Sequence, residues 1–270
     1  MSLPSRPRPV ALVTGGSAGI GAALARVYAE HGWDLILTAR REAPLHALAS
    51  ELALTGAAST VLPDDLADPA APARMQQAIA ERGLTVDGLI NNAGFSRTAG
   101  FLNTDPVAHA QMIRVMLTAP IELARLFAPA MVERGFGRIL NVASLAGQMP
   151  ATGGDTLYGP IKSFLIKASQ GLHLELQGTG VHVTALCPGY TLTEFHDVNG
   201  TREEVSTAYP RWMWQTADHV ARVGYAACEA NRPKVTPGAM NNLLAGLAKH
   251  LPDGMALNMV GGHAKRLKRI

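Results

Sequence analysis

The sequence predicts an α/β protein in which helices cover both faces of a doubly wound parallel sheet. Three observations support this fold class. Short apolar runs alternate with helical patterns, the apolar runs have few polar interruptions, and 270 residues suit one domain of ordinary size. Strands that alternate with helices pair in parallel through right-handed crossovers, and apolar strands are typical of a sheet buried on both faces. We therefore expect the ligand site beyond the carboxyl ends of the strands.

The elements follow in order from the apolar runs and from the residues that end them. Strands are predicted at Val10–Val13, Asp34–Thr38, Ser59–Leu62, Val86–Ile90, Arg138–Val142 and His182–Leu186, with a last edge strand at Lys234–Thr236. The first helix begins at Ile20, where apolar residues take helical spacing, and ends at Gly32. Further helices are predicted between the second and third strands and at Met75–Arg82, Pro106–Val132 and Ile161–Gln177, with irregularity near Pro120 and Pro129.

Residues 1–270 are predicted to form one domain, preceded by a loose leader at about residues 1–9 that has no secretory pattern. The cysteines Cys187 and Cys228 are far apart, which argues against a disulfide scaffold and favours a reducing, cytoplasmic compartment. No run of 18 apolar residues predicts a membrane span. The net charge of +3 arises from four basic residues between positions 265 and 269. We expect these to be a solvated tail, with peripheral membrane contact as the alternative and no nucleic-acid partner.

A glycine-rich turn, Thr14–Gly21, joins the first strand to the first helix. Glycines let a phosphate approach the backbone, and the helix N-terminus supplies free N–H groups and a partial positive charge. This strand, turn and helix together are typical of a Rossmann-type fold, whereas the glycines alone also fit a plain tight turn. The candidate cofactor contacts here are Gly15, Ser17, Ala18, Gly19, Ile20 and Gly21.

Two further segments follow strands at the same predicted edge. Arg40 and Arg41 come after the second strand, where an acid would bind a ribose 2′-hydroxyl and an arginine accommodates a 2′-phosphate. These arginines favour NADP over NAD, although they also suit a solvated helix start. Asp65 and Leu66 follow the third strand. The carboxylate pair Asp64-Asp65 either accepts from an adenine amino group or caps the next helix.

An acid–base pair is predicted at Tyr158 and Lys162, which share one face of a helix that begins near Pro160. A neighbouring ammonium should lower the pKa of the phenol toward neutrality and make it a usable acid or base. Ser144 follows the fifth strand, where its hydroxyl can bind a substrate carbonyl; the alternative is a turn serine.

These motifs together resemble the short-chain dehydrogenase/reductase family over roughly residues 10–195. The resemblance covers, in the family's order, the glycine turn, Asn91-Asn92-Ala93-Gly94, Ser144, Tyr158 with Lys162, and Pro188-Gly189. Five elements in order are far more specific than any one of them.

The resemblance implies a hydride transfer between a nicotinamide and a carbonyl or alcohol. It makes Ser144, Tyr158 and Lys162 catalytic: the serine orients the carbonyl, the tyrosine protonates it, and the lysine holds the nicotinamide ribose. It adds cofactor contacts at Asn92, Ala93 and Gly94 beside the adenosine, and at Pro188, Gly189, Thr191 and Thr193 around the nicotinamide and pyrophosphate. The implied cofactor is NADP(H), with NAD(H) as the alternative.

Two residues depart from the family pattern. Met116 stands where the family has an asparagine that binds a water for proton relay, and a thioether cannot donate. Either the relay takes another route or turnover is slow, so the alternative function is a catalytically weak or inactive dinucleotide-binding sensor or scaffold. Ala18 stands where many NADP-using relatives have a basic residue, which weakens the NADP prediction without reversing it.

The segment at about 190–218 corresponds to a substrate lid, with aromatic residues Phe195, Tyr209, Trp212 and Trp214 facing Gly153-Gly154. Such walls favour a bulky, apolar ketone or a lipid-like 3-oxo substrate, unless the lid only packs on its own body. The nine histidines show no metal-ligand spacing, so no metal is expected. Residues 237–270 resemble a C-terminal helical extension of some family members, and their apolar stripe could cover a subunit contact, the substrate lid or a membrane surface. The resemblance favours self-association, because members of the family are commonly homodimers or homotetramers.

Overall fold

A seven-stranded parallel sheet forms the centre of the protein. The computed structural model describes residues 8–96, 100–151, 154–193, 213–252, 254–255 and 257–258. The strands are β1 (Val10–Thr14), β2 (Asp34–Thr38), β3 (Ser59–Val61), β4 (Gly88–Asn91), β5 (Gly137–Val142), β6 (Val181–Leu186), β7 (Thr191–Leu192), β8 (Gln215–Thr216) and β9 (Lys234–Val235). The large sheet has the order β3-β2-β1-β4-β5-β6-β9, and β7 pairs with β8 apart from it.

The sheet topology confirms the predicted fold class. Every neighbouring pair is parallel, including the edge pair of β6 with β9. The strand order runs outward from β1 in two directions, so the chain crosses from β3 back to β4 beside β1. A crevice opens at such a reversal, beyond the carboxyl ends of the strands, which is where ligands bind in this kind of sheet.

Helices cover both faces of the sheet, as the sequence predicted. They are α1 (Gly19–Glu30), α2 (Glu42–Ala53), α3 (Ala71–Glu81), α4 (Pro106–Ile113), α5 (Ala119–Glu133), α6 (Tyr158–Glu175), α7 (Ala217–Glu229) and α8 (Ala239–His250). Helices α1, α2 and α7 bury apolar side chains in one core cluster, and α3, α4 and α5 bury theirs in a second on the opposite face. Helix α1 ends before Gly32, whose φ of +83° few other residues adopt.

The long helix predicted at Pro106–Val132 is continuous but contains one irregular turn. Between α4 and α5, residues Arg114–Thr118 form a π-helical turn. Pro120 has no N–H to donate to the carbonyl four residues earlier, that of Met116, so the α-helical hydrogen-bond pattern is interrupted at this place. Pro129 lies within α5 without breaking it. By length and composition alone Pro106–Glu133 could cross a membrane, yet it packs Met112, Leu123 and neighbouring residues into the core.

The C-terminal part of the described chain lies against the edge of the sheet. Gln148, in the short helix after β5, binds Thr236 at 2.9 Å and Lys234 of β9 at 2.5 Å. In α8 the predicted apolar stripe is largely exposed, with Leu243 and Leu247 more than half accessible. The basic tail at 265–270 and residues 1–7 of the leader lie outside the described residues.

Candidate active site

The glycine turn opens at the end of β1 and leaves the N-terminus of α1 unobstructed. Gly15 and Gly19 have φ values of +67° and +58°, which side chains at these positions would strain. Ala18 caps α1 in an extended conformation, and no side chain accepts from its first N–H groups. Ser17 and Ala18 are short and partly accessible. These free donors and this small cradle fit the pyrophosphate of a dinucleotide.

Asn92 holds the turn in place from the neighbouring strand end. Its Nδ2 donates to the carbonyl oxygens of Thr14 at 3.0 Å and Gly15 at 3.1 Å. The backbone N–H groups of Asn92 and Ala93 donate to the Thr14 hydroxyl at 3.0 and 3.1 Å. A Cβ added to Gly21 would lie 2.2 Å from the Gly15 carbonyl oxygen and 2.4 Å from Asn92 Nδ2. Asn92 and Gly21 therefore support the turn through contacts within the protein.

The two arginines after β2 lie beside this turn. The Gly16 N–H donates to the Thr38 carbonyl at 3.2 Å, so the end of β2 is joined to the glycine turn. Arg40 and Arg41 are both exposed just beyond that strand end. Arg41 also caps α2 through its backbone, so the helix-start interpretation applies to it, while Arg40 remains the better candidate for a 2′-phosphate.

The carboxylates after β3 do not have one of the two roles predicted for them, that of capping the next helix. Asp65 accepts from the Ala67 N–H at 3.0 Å within a tight turn, and α3 begins later, after Ala70. The expectation that Asp65 caps the next helix is therefore wrong, because the carboxylate satisfies a turn and not a helix end. Asp64 pairs with Arg74 at 2.6 Å. The side chain of Leu66 is buried in the core, which leaves its backbone as the part facing a ligand.

Ser144, Tyr158 and Lys162 meet at the carboxyl edge of the sheet. Ser144 follows β5 after one residue, and its hydroxyl oxygen hydrogen-bonds the Tyr158 hydroxyl and accepts from the Ala146 N–H at 3.1 Å. Tyr158 is the first residue of α6, and Lys162 Nζ lies 5.7 Å from the centre of its ring. Lys162 is buried and donates to the Val142 carbonyl at 2.8 Å. The predicted trio is thus one cluster, held by β5 and α6.

The electrostatics of this cluster differ from the sequence-based expectation. Burial raises the pKa of Tyr158 to about 12, although the hydrogen bond from Ser144 opposes the rise. Burial also lowers the pKa of Lys162 to about 8. The prediction that the lysine brings the pKa of the tyrosine toward neutrality is wrong for the protein alone, because desolvation of the phenol is the largest cause of its shift and Lys162 is not among the groups that lower it. Tyr158 therefore holds its proton at neutral pH and is ready to act as an acid.

The sequence reasoning missed a carboxylate beside the tyrosine. Asp155 lies three residues before Tyr158, and its negative charge is one of the causes that raise the tyrosine's pKa. The Ser96 hydroxyl donates to Asp155 Oδ2 at 2.6 Å, which fixes the carboxylate from the loop after β4. The sequence shows this acidic residue three positions before the tyrosine, but nothing in it indicates that Ser96 would bind the carboxylate.

Met116 lies in the π-helical turn and reaches the same cluster. A Cβ added to Gly94 would lie 3.1 Å from Met116 Sδ and 3.7 Å from Lys162 Nζ. The thioether therefore packs across Gly94 from the lysine, and Gly94 must be small to fit between them. The residue is 1% exposed, so its side chain fills this space. The residue that departs from the family pattern therefore lies close to Lys162.

The segment after β6 closes the opposite side of the crevice. The Leu145 N–H donates to the Pro188 carbonyl at 2.8 Å, which joins this segment to the residue after Ser144. Thr191 Oγ1 donates to the Gly189 carbonyl at 3.0 Å. Thr193 lies against the glycine turn, since a Cβ on Gly19 would be 3.1 Å from its Cβ. The structure thus brings residues 188–193 to the glycine turn.

Most of the predicted lid lies outside the part of the chain that the structure describes. Phe195, Tyr209, Trp212 and Gly153 lie outside the described residues. Trp214 is described, and its ring lies 5.4 Å from that of Tyr190. Gly154 is described and buried. Within the described part of the chain, no group of three or more histidine, cysteine, aspartate or glutamate side chains could hold a metal.

Comparison with known proteins agrees with this geometry. The family model described as short chain dehydrogenase matches residues 9–204. Ketoacyl reductase HetN from Nostoc sp. is 32% identical over 179 residues, which cover 66% of this chain and 62%, less than two thirds, of that relative. A short-chain dehydrogenase from Sphingobium yanoikuyae in complex with NADPH is 32% identical with a TM-score of 0.77, covering 90% of this chain and 96% of that one. The bulky-bulky ketone specific alcohol dehydrogenase from Comamonas testosteroni is 27% identical with a TM-score of 0.74, covering 92% and 96%.

Proposed function

The chain belongs to the short-chain dehydrogenase family of oxidoreductases, and from that premise we propose that it reduces a bulky ketone, or oxidises the matching alcohol, with NADP(H). The observation that carries the proposal is the cluster of Ser144, Tyr158 and Lys162 at the carboxyl edge of the sheet, next to a glycine turn with free N–H groups. The proposal names Ser144, Tyr158 and Lys162 as the catalytic residues.

The bound nicotinamide would supply or accept the hydride. The protein contributes position and one proton. Ser144 orients the carbonyl oxygen through its hydroxyl, and Tyr158 donates the proton to that oxygen. The high pKa of Tyr158, about 12, keeps the proton on the phenol at neutral pH, which is the form that reduction of a carbonyl requires. Lys162, fixed by the Val142 carbonyl, would hold the nicotinamide ribose through the N–H groups that this carbonyl does not use.

The cofactor preference rests on Arg40, which is exposed beyond the end of β2, where an NAD-binding protein has an acid. The NADPH complex of the Sphingobium yanoikuyae relative supports the same preference. Arg40→Ala should weaken NADPH binding while leaving NADH binding unchanged, since only the former has a 2′-phosphate. The control is Arg26→Ala, because Arg26 is an exposed arginine of α1 that pairs with Glu51 of α2. An unchanged ratio of the two affinities would refute the role of Arg40.

The substrate class rests on apolar surface around the segment that follows β6. Tyr190 and Trp214 form an aromatic contact next to the segment that follows β6, and Leu192 is exposed beside them. Apolar walls of this kind accept large ketones. The Comamonas testosteroni relative, named for bulky-bulky ketones, supports this choice.

The direct test is turnover of NADPH with a panel of bulky aryl, steroid and 3-oxo-acyl ketones. Tyr158→Phe should reduce the rate by about 10²–10⁴-fold, because it removes the acid and keeps the ring. Tyr225→Phe, a tyrosine of α7 that packs on Tyr28, is the matched control and should retain activity. Equal rates in the Tyr158 variant and the unaltered protein would overturn the assignment.

The second candidate is a catalytically weak or inactive dinucleotide-binding sensor, suggested by Met116 alone. The intact trio makes this function less favoured. The panel separates the two candidates: tight NADPH binding without turnover of any ketone would favour the sensor. If slow turnover results from the thioether, Met116→Asn should increase kcat.

We further propose that the protein works in the cytoplasm as a homodimer or homotetramer. The free, buried cysteines Cys187 and Cys228 suit a reducing compartment, and the exposed leucines Leu243 and Leu247 of α8 offer apolar surface for a second copy. Light scattering after size-exclusion chromatography tests the assembly, and a monomer at micromolar concentration would contradict it.

A further inference from the structure

The C-terminal helix α8 buries a polar residue and exposes its apolar ones. Among its twelve residues, all of which the structure describes, only Asn241 is buried, at 6% exposure, while Leu243 and Leu247 remain accessible. A buried amide on an otherwise exposed helix is the reverse of the usual pattern, and it indicates that the amide has a specific partner.

The Asn241 side chain packs against the backbone of the segment after β6. A Cβ added to Gly189 would lie 2.5 Å from Asn241 Nδ2 and 2.8 Å from its Oδ1, so the amide lies directly against this glycine. Nδ2 donates to the Pro237 carbonyl at 2.8 Å and lies 3.5 Å from Gln215 Oε1 in β8. Asn241 thus contacts the segment that leaves β6 and the strand that pairs with it.

The contacts of that segment lead to the glycine turn. Gly189 accepts from Thr191 Oγ1, and the backbone of Tyr190 accepts from the Gln215 N–H at 2.9 Å. Thr193, two residues beyond Thr191, packs on Gly19 at the mouth of the turn. The position of Gly189 therefore fixes how residues 190–193 approach the place proposed for the pyrophosphate.

We propose that Asn241 is a positioning residue for the dinucleotide: through Gly189 and Gln215, the C-terminal helix holds residues 188–193 in the conformation that binds NADPH. This inference rests on the proposed use of NADP(H). Asn241 does not touch the reacting atoms, so its loss should weaken cofactor binding and leave the chemical step intact.

The neighbouring residue provides a matched control. Asn242 donates to the carbonyls of Thr236 at 2.6 Å and Gly238 at 2.8 Å, so it fastens the same helix with similar hydrogen bonds. It has no described contact with Gly189 or Gln215. Replacing either asparagine by alanine should loosen α8 by a similar amount, which separates a general loss of stability from a specific effect on the cofactor.

The experiment titrates the full-length protein with NADPH and follows the fluorescence of the bound cofactor, with thermal unfolding measured in parallel. Asn241→Ala should raise the Kd for NADPH by about tenfold. Asn242→Ala should stay within about twofold despite a similar change in Tm. With any ketone that is turned over, Asn241→Ala should raise KM for NADPH and leave kcat at saturating NADPH nearly unchanged. Asn241→Ser, which keeps a hydrogen-bonding group, should recover part of the affinity.

Equal dissociation constants for the two alanine variants, or a fall in kcat without a rise in KM, would overturn the positioning role while leaving the proposed function intact. If the unaltered protein does not bind NADPH, the proposed function fails, and the inference about Asn241 fails with it.

Discussion

The buried lysine of the active site should make the protein less stable than it could be. Lys162 is 4% exposed, and burial lowers its pKa from an ordinary 10.5 to about 8. A lysine with a lowered pKa in the folded state is harder to charge there than in the unfolded chain. Folding at neutral pH therefore costs free energy at this residue, and Lys162→Met, which keeps the length of the side chain without the charge, should remove the cost.

The size of the effect follows from the two pKa values. One pKa unit corresponds to about 1.36 kcal/mol, so a fall from 10.5 to about 8 costs the folded state about 3 kcal/mol at pH 7. The variant also leaves the Val142 carbonyl without the donor it has at 2.8 Å, which offsets about 1 kcal/mol. Lys162→Met should therefore stabilise the protein by about 2 kcal/mol at pH 7, while abolishing activity.

The advantage should disappear at higher pH. The charge penalty on the unaltered protein is complete below pH 8, shrinks as the pH rises through 8 toward 10.5, and is absent above it. At pH 9.5 only about 1 kcal/mol of the penalty remains, so the free energies of unfolding of the two proteins should differ by less than about 1 kcal/mol.

Urea unfolding at pH 7 and pH 9.5, followed by circular dichroism at one protein concentration, measures this difference. Lys167→Met is the control, because Lys167 is an exposed residue of the same helix and should show no such pH-dependent gain. A Lys162→Met variant that is destabilised at pH 7, or whose gain is the same at both pH values, would refute the argument.

Three further outcomes are expected. Gly21→Ala should lower the free energy of unfolding by about 2–3 kcal/mol even without cofactor, because the new Cβ would collide with the Gly15 backbone. In the same urea assay Gly16→Ala should change the free energy of unfolding little, because a Cβ there would make ordinary contacts. Asp155→Asn should lower the pKa of Tyr158, because it removes a nearby negative charge. The acidic limb of the pH–rate profile for alcohol oxidation should then move to lower pH, and an unmoved profile would contradict this. Arg138→Leu should lower the free energy of unfolding by about 3 kcal/mol, because it breaks a largely buried ion pair with Glu229. Arg26→Leu, in an exposed pair with Glu51, should lower it by less than about 1 kcal/mol. Equal losses in urea unfolding would contradict the burial argument.

Much of the fold could be predicted because its strands are short apolar runs that end at glycines or polar residues. The Val10–Val13 run became β1 with one more residue, and even the two-residue edge strand at Lys234–Val235 was anticipated. The π-helical turn at Arg114–Thr118 could not be predicted in detail, since Pro120 removes a hydrogen bond but does not by itself determine how the helix responds.

The clustering of Ser144, Tyr158 and Lys162 could be predicted, because a serine after β5 and a tyrosine–lysine pair at the start of a helix both lie at the carboxyl edge of the sheet. The site was not predicted where the outcome depends on burial or on distant contacts. The rise in the pKa of Tyr158 required knowing that the phenol is desolvated. The contact between Asn241 and Gly189 joins residues far apart in the chain and leaves no periodic pattern in the sequence.

The glycine turn packs against its own backbone at Gly21, so the presence of this glycine is weak evidence for cofactor binding. Gly21 is confined by the Gly15 carbonyl and by Asn92, both parts of the polypeptide, so selection for folding alone would preserve it. A related protein that no longer binds a nucleotide would therefore still have a glycine at this position. Surveys that infer cofactor use from these glycines would therefore count such pseudoenzymes as binders, and the exposed residue after β2 is the better place to look.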